Sequence, residues 1–285
     1  MFNSNEMCLP LCAPFACCEA DSRVIPFPEE SRDNYFAELF FLRKGSVRLS
    51  LGKEERVVTP GEAALLCPGV ENRVAVEGGE PVLMDVIRMD PDRMPKLSDY
   101  SPALKNIFSE AVREGVPMVV PAAEARQMNL SELVARCVRE TKNRQYGYDM
   151  NVVNTLGVIC AEVIRFWLGR GLVLRDRSVP EDTLETLSVY IQQHLGDNLR
   201  VEELAARCGM SYPWFAKKFR KRYGVNCKDF IEQLRIDQVE KYLLFTEMDL
   251  ESISEKTGYA DCSHMIKNFK RIMGITPGQY RLRMR

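Results

Sequence analysis

Residues 204–224 read LAARCGMSYPWFAKKFRKRYG, and residues 253–274 read ISEKTGYADCSHMIKNFKRIMG. The two stretches follow one plan, repeated after about 50 residues. Each opens with a short amphipathic helix, through Leu204 and Ala205 or through Ile253. Each bends at a glycine, Gly209 or Gly258, and enters a second helix. In that helix two apolar residues stand four apart: Phe215 and Phe219, then Met265 and Phe269. Four apart is one helical face, so these pairs turn inward and the residues between them turn out. The outward residues are basic. This is the sequence form of a helix-turn-helix, whose second helix can enter a DNA major groove. Two in tandem predict a chain that reads two groove segments.

The charge pattern agrees. Lys and Arg total 39 against 40 Asp and Glu, a net charge of −1, so the whole chain is no polycation. Yet residues 211–222 hold Lys217, Lys218, Arg220, Lys221 and Arg222 with no acid, and residues 262–285 hold six cations with none. A charge run alone is often only a solvated helix face. Coincidence with the repeat points to phosphate binding.

Beyond the repeat itself, the chain from Leu184 to Arg281 resembles the DNA-binding domain of the AraC/XylS family of bacterial transcription regulators. The matching residues include Tyr190-Ile191, His194, Glu202-Glu203-Leu204-Ala205, Gly209-Met210-Ser211, Phe219-Arg220-Lys221, Arg235, Leu243, Gly258-Tyr259 and Phe269-Lys270. The closing Gly274-Ile275-Thr276-Pro277 followed by Tyr280-Arg281 is the most recognisable signature. The resemblance implies a sequence-specific regulator bound to double-stranded DNA, with RNA polymerase a partner if it activates. It also implies that Arg235 makes a salt bridge fixing the angle between the two halves. Arg200 departs from the family pattern, which tends to a Ser or Thr helix cap there, and Met265 stands where an aromatic or leucine is usual.

The outward residues of the first recognition helix are Tyr212, Pro213, Ala216, Lys217 and Arg220. Lys217 can donate to guanine O6 or N7, Ala216 can pack on a thymine methyl, and Arg220 suits a phosphate. Trp214 is expected to pack between the two helices, the alternative being a contact to DNA. In the second copy Cys262, Ser263, Ile266, Lys267 and Lys270 face outward. Cys262 and Ile266 offer little hydrogen bonding, so the second copy is expected to discriminate bases less sharply. Ser211 and Asp249 are expected helix caps, and Pro213 fits a first turn.

The rest of the chain divides by pattern. From Asn34 to Met89 short apolar runs are punctuated by Gly45, Gly52, Pro60-Gly61, Pro68-Gly69 and Gly78-Gly79, which predicts a small antiparallel barrel or sandwich. Its order resembles the cupin-type sensor domain of the same family. Helices are expected at Tyr100–Glu114, Ala122–Asn143 and Asn151–Leu168; they resemble the dimerisation helices of that family, with Asn151–Leu168, which carries Ile159, the candidate seam, the alternative being that they only cover the barrel. The fold class is therefore α+β in two domains. Residues 1–172 form a cupin-like antiparallel barrel with following helices, and residues 173–183 a linker. Residues 184–285 form an all-α domain of two helix-turn-helix motifs joined by a long helix, Lys228–Phe245. The expected assembly is a homodimer.

What the barrel holds is less legible. A cupin enzyme holds its metal with histidines. This chain has two, His194 and His264, both in the DNA-binding half; Arg32, Asn34 and Asn72 stand where ligands would be needed. A cupin-type enzyme with an accessory helical domain is the rival reading, and the histidine count opposes it. No metal and no cofactor is expected. A small-molecule effector remains, with Glu38, Phe40 and Asn72 as candidate contacts, against a barrel packed solid. Cys8, Cys12, Cys17 and Cys18 cluster near the start, without a Cys-x-x-Cys pair. They read as incidental thiols of a mobile arm, the alternative being a thiol- or metal-responsive regulator. No apolar run reaches the ~18 residues of a membrane span, and the N-terminus lacks the basic residues of a signal peptide. A cytoplasmic protein without a membrane partner is expected, its ten cysteines free thiols.

Overall fold

Strand β2 (Ala37–Lys44) organises the first part of the molecule, because it is apolar on both faces. Phe40 and Leu42 point to one side, Leu39 and Phe41 to the other, and all four are buried. A strand buried on both faces needs a layer against each. The structure, a computed structural model, describes residues 13–24, 35–52, 54–95, 97, 101–175 and 183–284. The chain separates into two units, Met1–Val179 and Pro180–Arg285.

In the first unit β2 lies within a five-stranded antiparallel sheet. Its order is β1 (Phe15–Asp21), β7 (Leu83–Met89), β2, β5 (Ala63–Leu66), β8 (Val119–Val120). A second antiparallel sheet places β3 (Ser46–Leu51) between β4 (Glu54–Val58) and β6 (Asn72–Glu77). Phe40 sits opposite Val86 and Ala64 in register. These three join Leu42, Val47, Leu49 and Met84 in the core between the sheets. The far side of the large sheet is covered by α3 (Leu130–Asn143) and α4 (Tyr148–Leu168). Met89 of β7 meets Cys160 of α4 there, Sγ to Sδ 3.8 Å. α1 (Leu104–Arg113) and α2 (Ala122–Gln127) complete the unit.

Four expectations need correction. The sheets do not close into a barrel. Among the described residues no pairing joins the edges β1 and β8 of one sheet to β4 and β6 of the other. β4 is exposed over Glu54–Val57, so charged side chains in water guard that edge. Second, the thiols of Cys17 and Cys18 do not belong to an arm. Phe15–Asp21 pairs with β7 over all seven residues; Cys8 and Cys12 lie outside the described residues. Third, the expected helix Ala122–Asn143 is two. Asn129 adopts a left-handed conformation, φ 55°, which Asn tolerates better than most residues, and the chain turns there between α2 and α3. Fourth, Ile159 is fully buried inside its own unit. The outward line of α4 is instead Met150, Val158 and Leu168. α4 is the one described helix long and apolar enough by composition to cross a bilayer, but half of that window is buried in the fold, as in a core helix.

The second unit is helical: α5 (Thr183–Gln193), α6 (Val201–Arg207), α7 (Tyr212–Tyr223), α8 (Cys227–Phe245), α9 (Leu250–Lys256), α10 (Cys262–Met273) and α11 (Pro277–Met284). α8 is a strut between two small cores. Its first half puts Phe230 against Phe219, centroids 5.3 Å apart, and against Tyr223 at 4.8 Å. Its second half puts Ile236, Val239 and Leu243 among Ile253, Met265 and Phe269. Asn226 caps it, accepting from the Asp229 amide at 2.8 Å.

Candidate nucleic-acid interface

Each half of the helical unit holds its second helix the same way. In the first, Phe215 and Phe219 are completely buried, 5.5 Å apart, and pin one side of α7 to the core. Tyr212, Pro213, Lys217, Arg220 and Lys221 are exposed and Ala216 half-buried on the remaining surface. Ala216, Lys217, Arg220 and Lys221 line a shallow, open hollow there. Ser211 stands at the N-cap position with extended backbone, but its hydroxyl makes no cap hydrogen bond; Pro213 lies in the first turn. Trp214, expected to pack, is 57% exposed.

In the second half Met265 and Phe269 are completely buried. Asp261 caps α10, accepting from the His264 amide at 2.7 Å, and Asp249 caps α9, accepting from Ser252 at 2.7 Å. Ser263, Lys267 and Lys270 are exposed. Cys262 and Ile266 are half-buried against the second core, so they offer less surface than their spacing implied. The imidazole of His264, which the sequence did not single out, is exposed and meets Asn268 at 3.0 Å.

The halves are tied through α8. Arg235 of α8 donates from Nε to the Leu195 carbonyl at 3.2 Å and from Nη2 to the Asp197 carbonyl at 2.9 Å. It thus secures the end of the leading helix by backbone hydrogen bonds rather than the expected salt bridge. Gly258, the turn glycine of the second half, packs directly on this joint. The signature tail closes the other side: the buried Tyr280 hydroxyl donates to Glu240 of α8 at 2.5 Å, and Arg281 donates to the Met248 carbonyl at 2.6 Å. The Tyr259 hydroxyl donates to Glu232 at 2.6 Å; burial first, and that bond second, push its pKa well above the ordinary phenol value. Fixed helices with cationic outer faces are what groove reading requires, since a mobile side would lose register on the bases.

Each of the three candidate effector contacts is engaged by other parts of the first unit. The Glu38 carboxylate is ion-paired with Arg88, whose guanidinium also lies over the Phe36 ring at 6.0 Å. Phe40 fills the core between the sheets. Asn72 is buried and donates from Nδ2 to the Val70 carbonyl at 3.1 Å. Among the described residues no three His, Cys, Asp or Glu side chains converge as a metal site; Arg32 and Asn34 lie outside them.

Residues 13–144 match the model of the AraC-like ligand binding domain, and residues 204–283 match that of a helix-turn-helix domain. Relatives include the regulatory protein PocR of Salmonella typhimurium, 29% identical over 92 residues, 32% of this chain and 30% of that protein. The transcriptional activator NphR of a Rhodococcus species is 33% identical over 101 residues, 35% of this chain and 30% of that one. The match thus spans less than a third of either relative's length. Among solved structures, the DNA-binding domain of AdpA in complex with a target DNA is 25% identical, covering 36% of this chain and 92% of that one, TM-score 0.35. Unsaturated fatty acid bound ToxT of Vibrio cholerae is 15% identical, covering 94% of both chains, TM-score 0.38.

Proposed function

The chain belongs to the AraC/XylS type of transcriptional regulators, with a C-terminal helix-turn-helix domain and an N-terminal ligand-binding-like domain, and from that premise we propose that it binds a specific duplex sequence through α7 and α10. One observation carries the reading. Two structurally equivalent helices, joined through one strut, each bury an apolar pair and turn Lys and Arg to water. Tyr212, Pro213, Ala216 and Lys217 meet base edges, and Arg220 meets phosphate. Ser263, Lys267 and Lys270 do the same work in the second segment, with Cys262 and Ile266 at its margin. A small molecule held by the N-terminal unit sets this activity, in the cytoplasm, and the boundary between the two working parts falls in residues 173–183.

The test compares two substitutions in a randomised-site selection. Lys217→Ala should cost about 1–3 kcal/mol on the preferred site and relax the base preference at one position. Arg220→Ala should weaken all sequences alike. Equal losses for every sequence with Lys217→Ala would remove its base contact.

The dimer is part of the same proposal, and α4 offers its outer face. Ile159→Asp would bury a charge inside one subunit and unfold it. Val158 is 49% exposed, so Val158→Glu should leave the fold intact and convert a dimer to monomer in sedimentation. A wild-type chain that sediments as a monomer at micromolar concentration, with and without DNA, would contradict it.

A further inference from the structure

Trp214 is one of two tryptophans in the chain. The other, Trp167, is completely buried and donates its indole N–H to the Pro117 carbonyl at 2.9 Å. Trp214 instead stands 57% exposed in the first turn of α7. An indole left more than half exposed leaves most of its apolar face and its N–H open to a partner.

Its angular position says where. Steps of roughly 100° per residue place Lys217 opposite the buried Phe215–Phe219 line, with Trp214 about 60° to one side and Arg220 about 60° to the other. Lys221 falls on the same edge as Trp214, and residues 211–222 contain no acid. The partner of that edge is therefore anionic. A helix with its side chains is about 10–12 Å across, and the major groove is about 12 Å wide. When the Lys217 line points at the bases, both flanks meet the sugar–phosphate walls.

We propose that Trp214 is a positioning residue for DNA. Its indole N–H donates to a phosphate oxygen on one strand and its ring face packs on the adjoining deoxyribose, while Arg220 grips the opposite strand. The inference rests on the reading of α7 as a groove helix. It assigns the two edges of that helix to the two strands, and so fixes its roll in the groove. Trp214 reads no base, because a single N–H donor directed at a phosphate carries no sequence information.

The experiment uses the full chain and a duplex of about 30 base pairs, roughly three helical turns, enriched from a random pool. Acrylamide quenching should find Trp214 accessible in the free chain and shielded in the complex, with Trp167 silent in both; the change should vanish in Trp214→Phe. Trp214→Ala should lower affinity about tenfold, the loss of one charge-assisted hydrogen bond and its packing. The loss should be equal for preferred and scrambled duplexes, and the thermal midpoint should not move. Trp214→Phe should recover part of the affinity. A complex in which Trp214 stays quenchable while Trp214→Ala binds as tightly as wild type overturns this inference and leaves DNA binding standing; it would assign the indole to a protein partner. A sequence-dependent loss overturns the phosphate assignment. A wild-type chain that binds no duplex overturns both readings together.

Discussion

Gly258→Ala should disable the helical unit, at a cost of about 3 kcal/mol or more. Two effects add. Gly258 has φ +76°, and forcing an alanine into the left-handed region costs roughly 1–2 kcal/mol. The new Cβ would also stand 2.2 Å from the Leu195 carbonyl oxygen and 2.8 Å from Nη2 of Arg235. The oxygen belongs to backbone and cannot swing aside, so the joint between leading helix, strut and second half must open. Gly209 is the equivalent turn in the first half. Its φ is +64°, yet nothing lies within 4 Å of an added Cβ. Gly209→Ala should therefore cost only the backbone part, roughly 1–2 kcal/mol. Thermal unfolding of the two variants side by side checks the difference. Equal losses would mean that the Leu195–Arg235–Gly258 joint does not hold the unit together.

The second large effect is on affinity. Six cations, Lys217, Arg220 and Lys221 on α7 and Lys267, Lys270 and Arg271 on α10, are exposed. Neutralising about six phosphates displaces their condensed counterions, and affinity should fall on the order of a thousandfold between 50 and 200 mM salt. The chain's net charge of −1 makes this a sharp test, because the salt dependence then comes from the local basic faces and not from the overall charge of the molecule. A loss under about tenfold would mean that these faces do not lie along the backbone.

The helical unit was legible because its information is local. A pair of apolar residues four apart, a glycine and a cap lie within one stretch of some twenty residues, and the repeat supplied the check. Arg235 was picked out by its family position, but its partners, two carbonyls at a helix end, are invisible in side-chain chemistry. Trp214 was misplaced for a related reason: an indole is usually worth burying, and only its angle to Phe215 and Phe219 shows it on the wet side.

The sheet unit was less legible, because closure is a property of edges far apart in sequence. The alternating runs announce strands; nothing in them says whether β8 meets β4. Phe15–Asp21 went unread as a strand since Cys17, Cys18 and Glu19 break the alternation, and its register is imposed by β7. In α4 so many positions are apolar that the pattern does not tell the inner line of Ile159 from the outer line of Val158. For Glu38 and Asn72 composition did not reveal their partners, Arg88 and the Val70 carbonyl.

In the function proposed, one chain reads two successive groove segments. α8 spans 19 residues, about 28 Å at 1.5 Å rise per residue, which suits two recognition helices set one DNA turn apart, roughly 34 Å. Methylation interference at guanine N7 on a selected duplex, with wild type and a Lys267→Ala, Lys270→Ala double variant, measures this directly. Two major-groove patches on one face, centred about 10–10.5 base pairs apart, are expected, with one patch lost in the double variant. A single patch in wild type, or two patches that both survive the double variant, would contradict it.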